Sequence, residues 1–341
     1  MPIVFPKPAQ NYSPGITVAQ ALLHNLAEPL VPLVNDVINA IPEVSFFPTS
    51  PVRKNTYETL HVTGLPKTGF RKPGTLRTFS TASIESMTIK CEHLDASWIL
   101  EKSIAELHDQ GAGAACALAA KLSMQSALLE FAKQIWYGVK NDPNGFVGLN
   151  TMLELFPENK TLDKEGTKDC TSVYAVRTGM DAIMVAFGFD GAINQTDIRE
   201  EMSHQLKVGG AAGEREGAEF YVQGISGWLG LQVTSYHAVS KIKNVSLSQS
   251  GKGLDTDVLR ELIYNTFPSG VKPEALFMTP KAWTEYCRTL NAFNPQGLPA
   301  IMLDNIDGVK IILTDAIRND EETMGDTGGG DPGGGGTGGG G

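Results

Sequence analysis

The feature that most restricts this chain is a long apolar helical stretch that ends at Tyr137. Beyond Gly111 and Gly113, the residues Leu118, Leu122, Leu128, Leu129, Ala132, Ile135 and Trp136 recur at helical spacing. At about 1.5 Å per residue this second part of the signal is a rod of roughly forty ångströms. Gly138 and the turn signal Asn141-Asp142-Pro143-Asn144-Gly145 end it. A rod of that length is a strut. The helical signal reaches back to Leu94 in a first part that Asp95 starts and that holds Trp98, Ile99, Ile104 and Leu107. The two glycines weaken its continuity with the second part by about 1 kcal/mol each relative to Ala.

The strut divides a chain of mixed character. Before it, prolines at 2, 6, 8, 14, 29, 32 and 42 surround one short helical signal, Val18, Leu22, Leu23 and Leu26 behind the N-cap Thr17. That is an extended arm, stable mainly when it lies on something else. Two β-rich runs follow, Tyr57 to Thr63 and Ser86 to Cys91, separated by a polar tract of Gly, Pro, Lys and Thr. They predict a long two-stranded loop, which is marginal in water without a partner surface. After Gly148 the chain predicts strands at Thr171 to Arg177, Ala182 to Phe187, Gln205 to Val208, Glu219 to Val233 and His237 to Val245, with a flexible loop from Val208 to Gly217. A helix at Asp255 to Phe267, a strand at Ala275 to Met278, a helix at Pro280 to Asn291 and a strand at Val309 to Asp315 complete it. Helices and strands without regular βαβ alternation predict an α+β fold. The nearly all-glycine end, Gly325 to Gly341, cannot offset its ordering entropy and is expected to be disordered.

Composition narrows function by exclusion. With 341 residues and 41% hydrophobic content the chain can bury a substantial core. A formal net charge of −10 opposes a sequence-independent grip on nucleic acid, which needs Lys and Arg against phosphates. No apolar run of about twenty residues and no signal-peptide pattern stands out, so the expectation is a soluble protein made in the cytoplasm. The four cysteines, Cys91, Cys116, Cys170 and Cys287, have neither zinc-site nor disulfide-scaffold spacing, which leaves buried free thiols.

The search for chemistry finds no catalytic, cofactor or metal site. Gly111-Ala112-Gly113 lacks the third glycine and the preceding strand of a dinucleotide fingerprint. Neither Gly209-Gly210 nor Gly251-Lys252-Gly253 completes a phosphate loop. The histidines at 24, 61, 93, 108, 204 and 237 form no metal-binding pair. Gly224-Ile225-Ser226-Gly227 is one residue short of a nucleophile elbow. Glu200, Glu201, Glu214 and Glu216 flank a glycine loop, where a solvated acidic patch is the default. Trp228, inside a strand, reads as core.

One resemblance runs through the chain. Gly148-Leu149-Asn150, Thr171 to Arg177, Ala186-Phe187-Gly188, Gly227 to Val233 and Lys241-Ile242-Lys243-Asn244 follow in an order that resembles tailed-bacteriophage major capsid proteins with the HK97-like fold. Leu65-Pro66 and Phe70-Arg71 between the two early strands, and the closing Ala300-Ile301 and Thr314-Asp315-Ala316-Ile317, agree with it. The resemblance covers about residues 17 to 318.

It implies an N-terminal arm over 1–51, an E-loop hairpin over 52–92, a P-domain with its spine helix over 93–148, and a mixed A-domain with returning P-domain strands over 149–320. The tail over 321–341 is extra. It further implies a shell protein and not an enzyme, with no cofactor: pentamers and hexamers of itself in an icosahedral virion head, assembled in the bacterial host and enclosing double-stranded DNA without sequence-specific binding. A portal, a separate scaffolding protein and room for a decoration protein are the other implied partners, with no membrane. Lys67, Phe70, Arg71, Lys72 and Arg77 on the loop are the candidate inter-subunit contacts. No local arrangement of Lys, Asn and Glu announces a covalent cross-link. The alternatives are a soluble enzyme with an unfamiliar site and an encapsulin-like compartment. If the tail is a tether, deleting residues 325–341 leaves assembly intact, checked by sedimentation of the truncated chain.

Overall fold

The computed structural model describes residues 41–64, 66–76, 79–156, 158–191, 193–206, 215–292 and 304–321. The expected arm helix, the glycine tail, Arg77, Ala300-Ile301 and residues 207–214 of the glycine loop lie outside them.

The described chain opens with α1 (Pro42–Phe46) and β1 (Thr49–Pro51), then forms an antiparallel hairpin, β2 (Thr56–Gly64) and β3 (Ser83–Lys90). Two short strands, β4 (Glu92–Asp95) and β5 (Trp98–Glu101), lead through α2 (Lys102–Glu106) into the long helix α3 (Ala112–Tyr137). Beyond it come α4 (Leu149–Leu155), β6 (Thr161–Asp163), β7 (Cys170–Val176), β8 (Ile183–Phe187) and β9 (Ile193–Gln195). A second hairpin, β10 (Arg199–Leu206) and β11 (Arg215–Gln223), precedes β12 (Ile225–Val233) and β13 (Val239–Ser246). The chain closes with α5 (Thr256–Tyr264), β14 (Ala275–Met278), α6 (Pro280–Ala292), β15 (Asn305–Ile306) and β16 (Val309–Leu313).

The largest sheet has six strands in the order β15-β16-β14-β7-β13-β6. Both of its faces are buried, and successive residues alternate between two apolar clusters. Tyr174, Val176, Ala275 and Phe277 point to the cluster containing α3, whereas Val173, Ala175, Leu276 and Met278 point to the one built by α5 and α6. The result is three layers around the sheet. Asp255 starts α5 as expected, its carboxylate accepting from the Val258 backbone N–H at 2.8 Å.

The end of α3 shows how turn chemistry becomes tertiary structure. Gly138 has φ of 57° and packs directly on Gly148, so a Cβ at either position would overlap the other's backbone. Buried Gln134 then donates to the carbonyls of Phe146 at 2.8 Å and Asp142 at 3.2 Å, which folds the Asp142–Gly145 turn against the helix. Two of the motifs noted in the sequence also meet here. The Lys241 ammonium donates to Asn150 Oδ1, tying α4 to the sheet, and burial pulls that lysine's pKa down to about 8.

Several expectations need correction. Leu94 to Leu107 is not the first part of a long helix: Trp98 to Glu101 is a strand paired with Gln223 to Phe220, and only Lys102–Glu106 is helical. The Trp98 indole N–H donates to Gln223 Oε1 at 2.9 Å, a long-range bond that overrides the local signal. Glu219 to Val233 is two strands broken at Gly224, and α4 replaces the expected switch to strands at Leu149. Strand β10 begins at Arg199, ahead of the expected Gln205, and β11 at Arg215, inside the expected loop. On α3 itself, Leu118, Leu122 and Leu129 are exposed, while Cys116, Ala120, Met124, Phe131 and Ile135 face the core. By length and composition Ala112–Lys140 is apolar enough to cross a membrane, contrary to the first reading, although core helices meet the same test. A helix apolar on all sides does not announce which side is buried.

Glu43 of α1 lies wholly inside this core. Its Oε1 accepts from the Trp136 indole N–H at 2.8 Å and from the Thr314 hydroxyl, while Oε2 is buried without a partner. Desolvation raises its pKa above the ordinary 4.5, against the lowering effect of those hydrogen bonds. The folded state therefore holds the proton more tightly than the unfolded chain. Stability from this group is fully present below about pH 4.5 and is lost as pH rises through the raised folded value. Glu43→Gln is expected to remove that loss, so denaturant midpoints of variant and parent diverge in the variant's favour from pH 4 to pH 8, roughly, with little difference at the acid end.

Candidate assembly interface

The β2–β3 hairpin is held at its base and bare beyond it. At the base, Ile89 is buried, the Cys91 N–H donates to the Asn55 carbonyl at 2.6 Å and the Tyr57 hydroxyl donates to Gln232 Oε1 at 2.5 Å. Burial raises the Cys91 thiol to about 11, so it is an inert packing group. With about 3.3 Å per residue, the nine-residue β2 extends roughly 30 Å from that anchor. The register pairs Thr56 with Lys90 through Val62 with Ile84, and shifts between Val62 and Gly64.

The tract between the strands keeps its own local order. The Lys67 N–H donates to Ser80 Oγ at 2.8 Å, and the Arg71 guanidinium donates to the Thr75 carbonyl at 2.7 Å across a turn in which Gly74 has φ of 87°. Phe70, Leu76 and Phe79 are 113%, 96% and 86% exposed, and Lys67, Arg71 and Lys72 are exposed beside them. Thus Lys67, Phe70, Arg71 and Lys72 share one tract; Arg77 falls outside the described residues. Large apolar side chains in full solvent contact beside cations add nothing to the stability of a lone chain.

A second uncovered surface is the three-stranded sheet β10-β11-β5. Cross-strand partners share a face. Ile99, Val222 and Arg199 make one row on one of its faces, and Glu101, Phe220 and Glu201 make the next; Ile99, Arg199 and Glu201 are exposed, Val222, Phe220 and Glu101 are half-buried, and Glu101 accepts from the Ser103 hydroxyl at 2.5 Å. Glu200 and Glu219 are on the opposite side, where Lys102 holds both, at 3.0 and 3.2 Å. The four glutamates singled out from sequence therefore do not form a paired-carboxylate site: Glu200 is ion-paired, Glu201 is on the other face, Glu214 lies outside the described residues and Glu216 sits in β11. The sequence reading missed Ile99, Glu101, Phe220 and Val222. Trp98-Ile99-Leu100-Glu101 is three apolar residues before one acid, without period-two alternation, so no local signal announced the strand.

Other residues considered for chemistry have structural duties. His93 packs edge-on against Trp228 at 5.1 Å, and His237 Nδ1 lies 2.8 Å from the buried Lys160 ammonium. Burial lowers Lys160 to about 8. A surface depression bordered by Glu92, Glu130 and Asp142 has its carboxylates engaged by Lys90, Asn141 and the Asn144 N–H. All four cysteines are buried free thiols. Among the described residues no group of three or more His, Cys, Asp or Glu side chains is placed to hold a metal.

A solved structure of bacteriophage Epsilon15, derived from cryo-electron microscopy and modelling, contains a chain similar to this one, with a TM-score of 0.54 over 82% of this chain and 88% of that one at 14% identity. The chain has the HK97-like fold. The chain is also similar to one in the procapsid of bacteriophage JBD30, with a TM-score of 0.42 at 9% identity over 85% of this chain and 100% of that one. The holo-SrpI encapsulin complex from Synechococcus elongatus PCC 7942 gives 0.39 at 9% identity over 60% and 88%. No family model and no curated protein matches the sequence. In the HK97-like chain, exposed and buried rings are expected to part sharply in energetic cost. Phe70→Ser should leave the stability of the isolated chain within about 0.5 kcal/mol, whereas Trp136→Ala should cost about 3–5 kcal/mol, both read from urea unfolding.

Proposed function

We propose that this chain is the major capsid protein of a tailed bacteriophage, a structural subunit and not an enzyme, which assembles into an icosahedral head around double-stranded DNA. The observation that carries the reading is an anchored hairpin whose distal tract exposes Phe70, Leu76 and Phe79 beside Lys67, Arg71 and Lys72, on a chain with the HK97-like fold. Such a tract is stable only against another surface, and a shell supplies that surface from an identical neighbour.

In this reading residues 1–51 are the N-arm, 52–92 the E-loop, 93–148 the P-domain with α3 as its spine, and 149–320 the A-domain with returning P-domain strands. Pentamers and hexamers share one set of heterologous contacts, and small changes of angle between subunits decide closure. The net charge of −10 suits an enclosure that must not adhere to packed DNA. A portal and a separate scaffolding protein complete assembly, and a decoration protein is compatible with it.

The test is to express the chain alone and together with any small protein encoded beside its gene, and to view the soluble fraction by negative-stain electron microscopy. Closed icosahedral particles are expected in at least one condition; monomers or small discrete oligomers in both would overturn the reading. Replacing residues 66–82 by a short Gly-Ser turn should abolish particles while the subunit keeps its circular dichroism spectrum and unfolding midpoint.

A further inference from the structure

Helix α1 is the first described element, and residues 1–40 join the rest of the chain through it. Side chains hold it in place. Ile41, Val44 and Phe47 are buried, Phe47 stacks on Phe277 at 6.0 Å, and Phe46 meets the same ring edge-on at 5.0 Å. Its backbone bonds are local: the Val44 N–H donates to the Ile41 carbonyl at 3.2 Å, and the Phe47 N–H to the Glu43 carbonyl at 3.0 Å. Immediately afterwards the chain is pinned, since the Val185 N–H donates to the Pro48 carbonyl at 2.9 Å and Thr49–Pro51 pairs in parallel with Val185 to Phe187. Residues 41–47 can therefore part from the core without breaking a ladder, and the parting stops at Pro48.

Glu43 is the one ionisable side chain in that unit, and its surroundings suit a neutral carboxyl. Trp136 of α3 and Thr314, just past β16, both donate to Oε1, which leaves Oε2 buried with no partner. Phe277 of β14 and Tyr174 of β7 pack on Trp136, and burial holds the Tyr174 hydroxyl well above its ordinary 10, so it stays neutral. Tyr137, the next residue of α3, is likewise raised by burial. The charged neighbour is Asp315, whose negative charge opposes a second one at Glu43. A carboxylate here would place charge on an oxygen that nothing solvates, and a neutral carboxyl avoids most of that cost.

We propose that α1 is a proton-controlled latch: with Glu43 protonated it stays closed, and as that proton is lost residues 41–47 open while the sheets remain folded. Burial of Ile41, Val44 and Phe47 keeps the closed form in the majority, so the proton sets how often the latch opens. Opening returns Glu43 to water, where its ordinary pKa of 4.5 applies. The open fraction therefore rises about tenfold per pH unit above that value and levels off once the pH passes the raised folded one. The latch resides within one chain and does not require the shell reading; in a shell it would loosen the attachment of residues 1–40.

Hydrogen exchange of the full chain tests it, followed by mass spectrometry from about pH 5 to about pH 8 and corrected for intrinsic exchange rates. Fragments covering residues 41–47 should lose protection by about tenfold per pH unit up to a plateau, whereas those covering Cys170–Val176 and Ala275–Met278 should not. Glu43→Gln should abolish that ramp. Two neighbours should move its upper end in opposite directions. Thr314→Val removes a donor to the carboxylate and shifts it to higher pH, while Asp315→Asn removes a repelling charge and shifts it to lower pH. Asp315 is exposed, so its variant supplies the test if Glu43→Gln fails to fold. A ramp that survives in Glu43→Gln, equal loss across the sheet, or protection independent of pH overturns the latch. Each of those results leaves the shell reading standing, because particle formation tests that separately.

Discussion

The indole of Trp136 is the point on which the rest of the fold depends. It sits at the end of the long helix, 4.8 Å from the Tyr174 ring and 5.0 Å from Phe277, with Phe47 packed behind at 6.2 Å. Its N–H donates to Glu43, whose same oxygen accepts from Thr314. One side chain thus joins α1 and its neighbour Phe47, the long helix, two strands of the six-stranded sheet and, through Glu43, the residue just past β16. The six-stranded sheet, buried on both faces, can hold that helix only because the alternation along β7 and β14 supplies aromatic residues to one side and aliphatic ones to the other.

Rigidity at that junction has a counterpart in what the fold leaves uncovered. The hairpin tract, the Leu118–Leu122–Leu129 flank of the helix and Ile99 on the three-stranded sheet all present apolar side chains to solvent. A protein that repeats one contact many times can leave such surfaces exposed, since burial comes with assembly. In the proposed shell the net charge of −10 would oppose premature association, and the bases gathered on one hairpin would give approach a direction.

The candidate site was only partly legible in the sequence. Lys67, Phe70, Arg71 and Lys72 were visible because a polar tract between two β-rich runs has few ways to be buried. The face of the β10-β11-β5 sheet was not, since Ile99 and Glu101 become neighbours of Val222 and Phe220 only through pairing over more than a hundred residues. Trp98 and Ile99 read as the start of a helix for the same reason. Nothing local in the sequence marks Glu43, whose burial comes only from the closing of Trp136 and Thr314 around it.

What the sequence by itself determined is what local chemistry controls: the ends of the helices at Gly138 and Asp255, the hairpin flanking a polar tract, the α+β mixture and the order of motifs that resembles phage capsid proteins. Gly138 stops the helix through its own backbone freedom, and Asp255 starts one with its own side chain. The tertiary structure alone decided which flank of the apolar helix is buried, which strands pair, and which glutamates remain uncommitted. Those choices depend on free energies of burial and pairing between distant segments, and a helix apolar on every side or a strand of four residues carries no local preference strong enough to settle them.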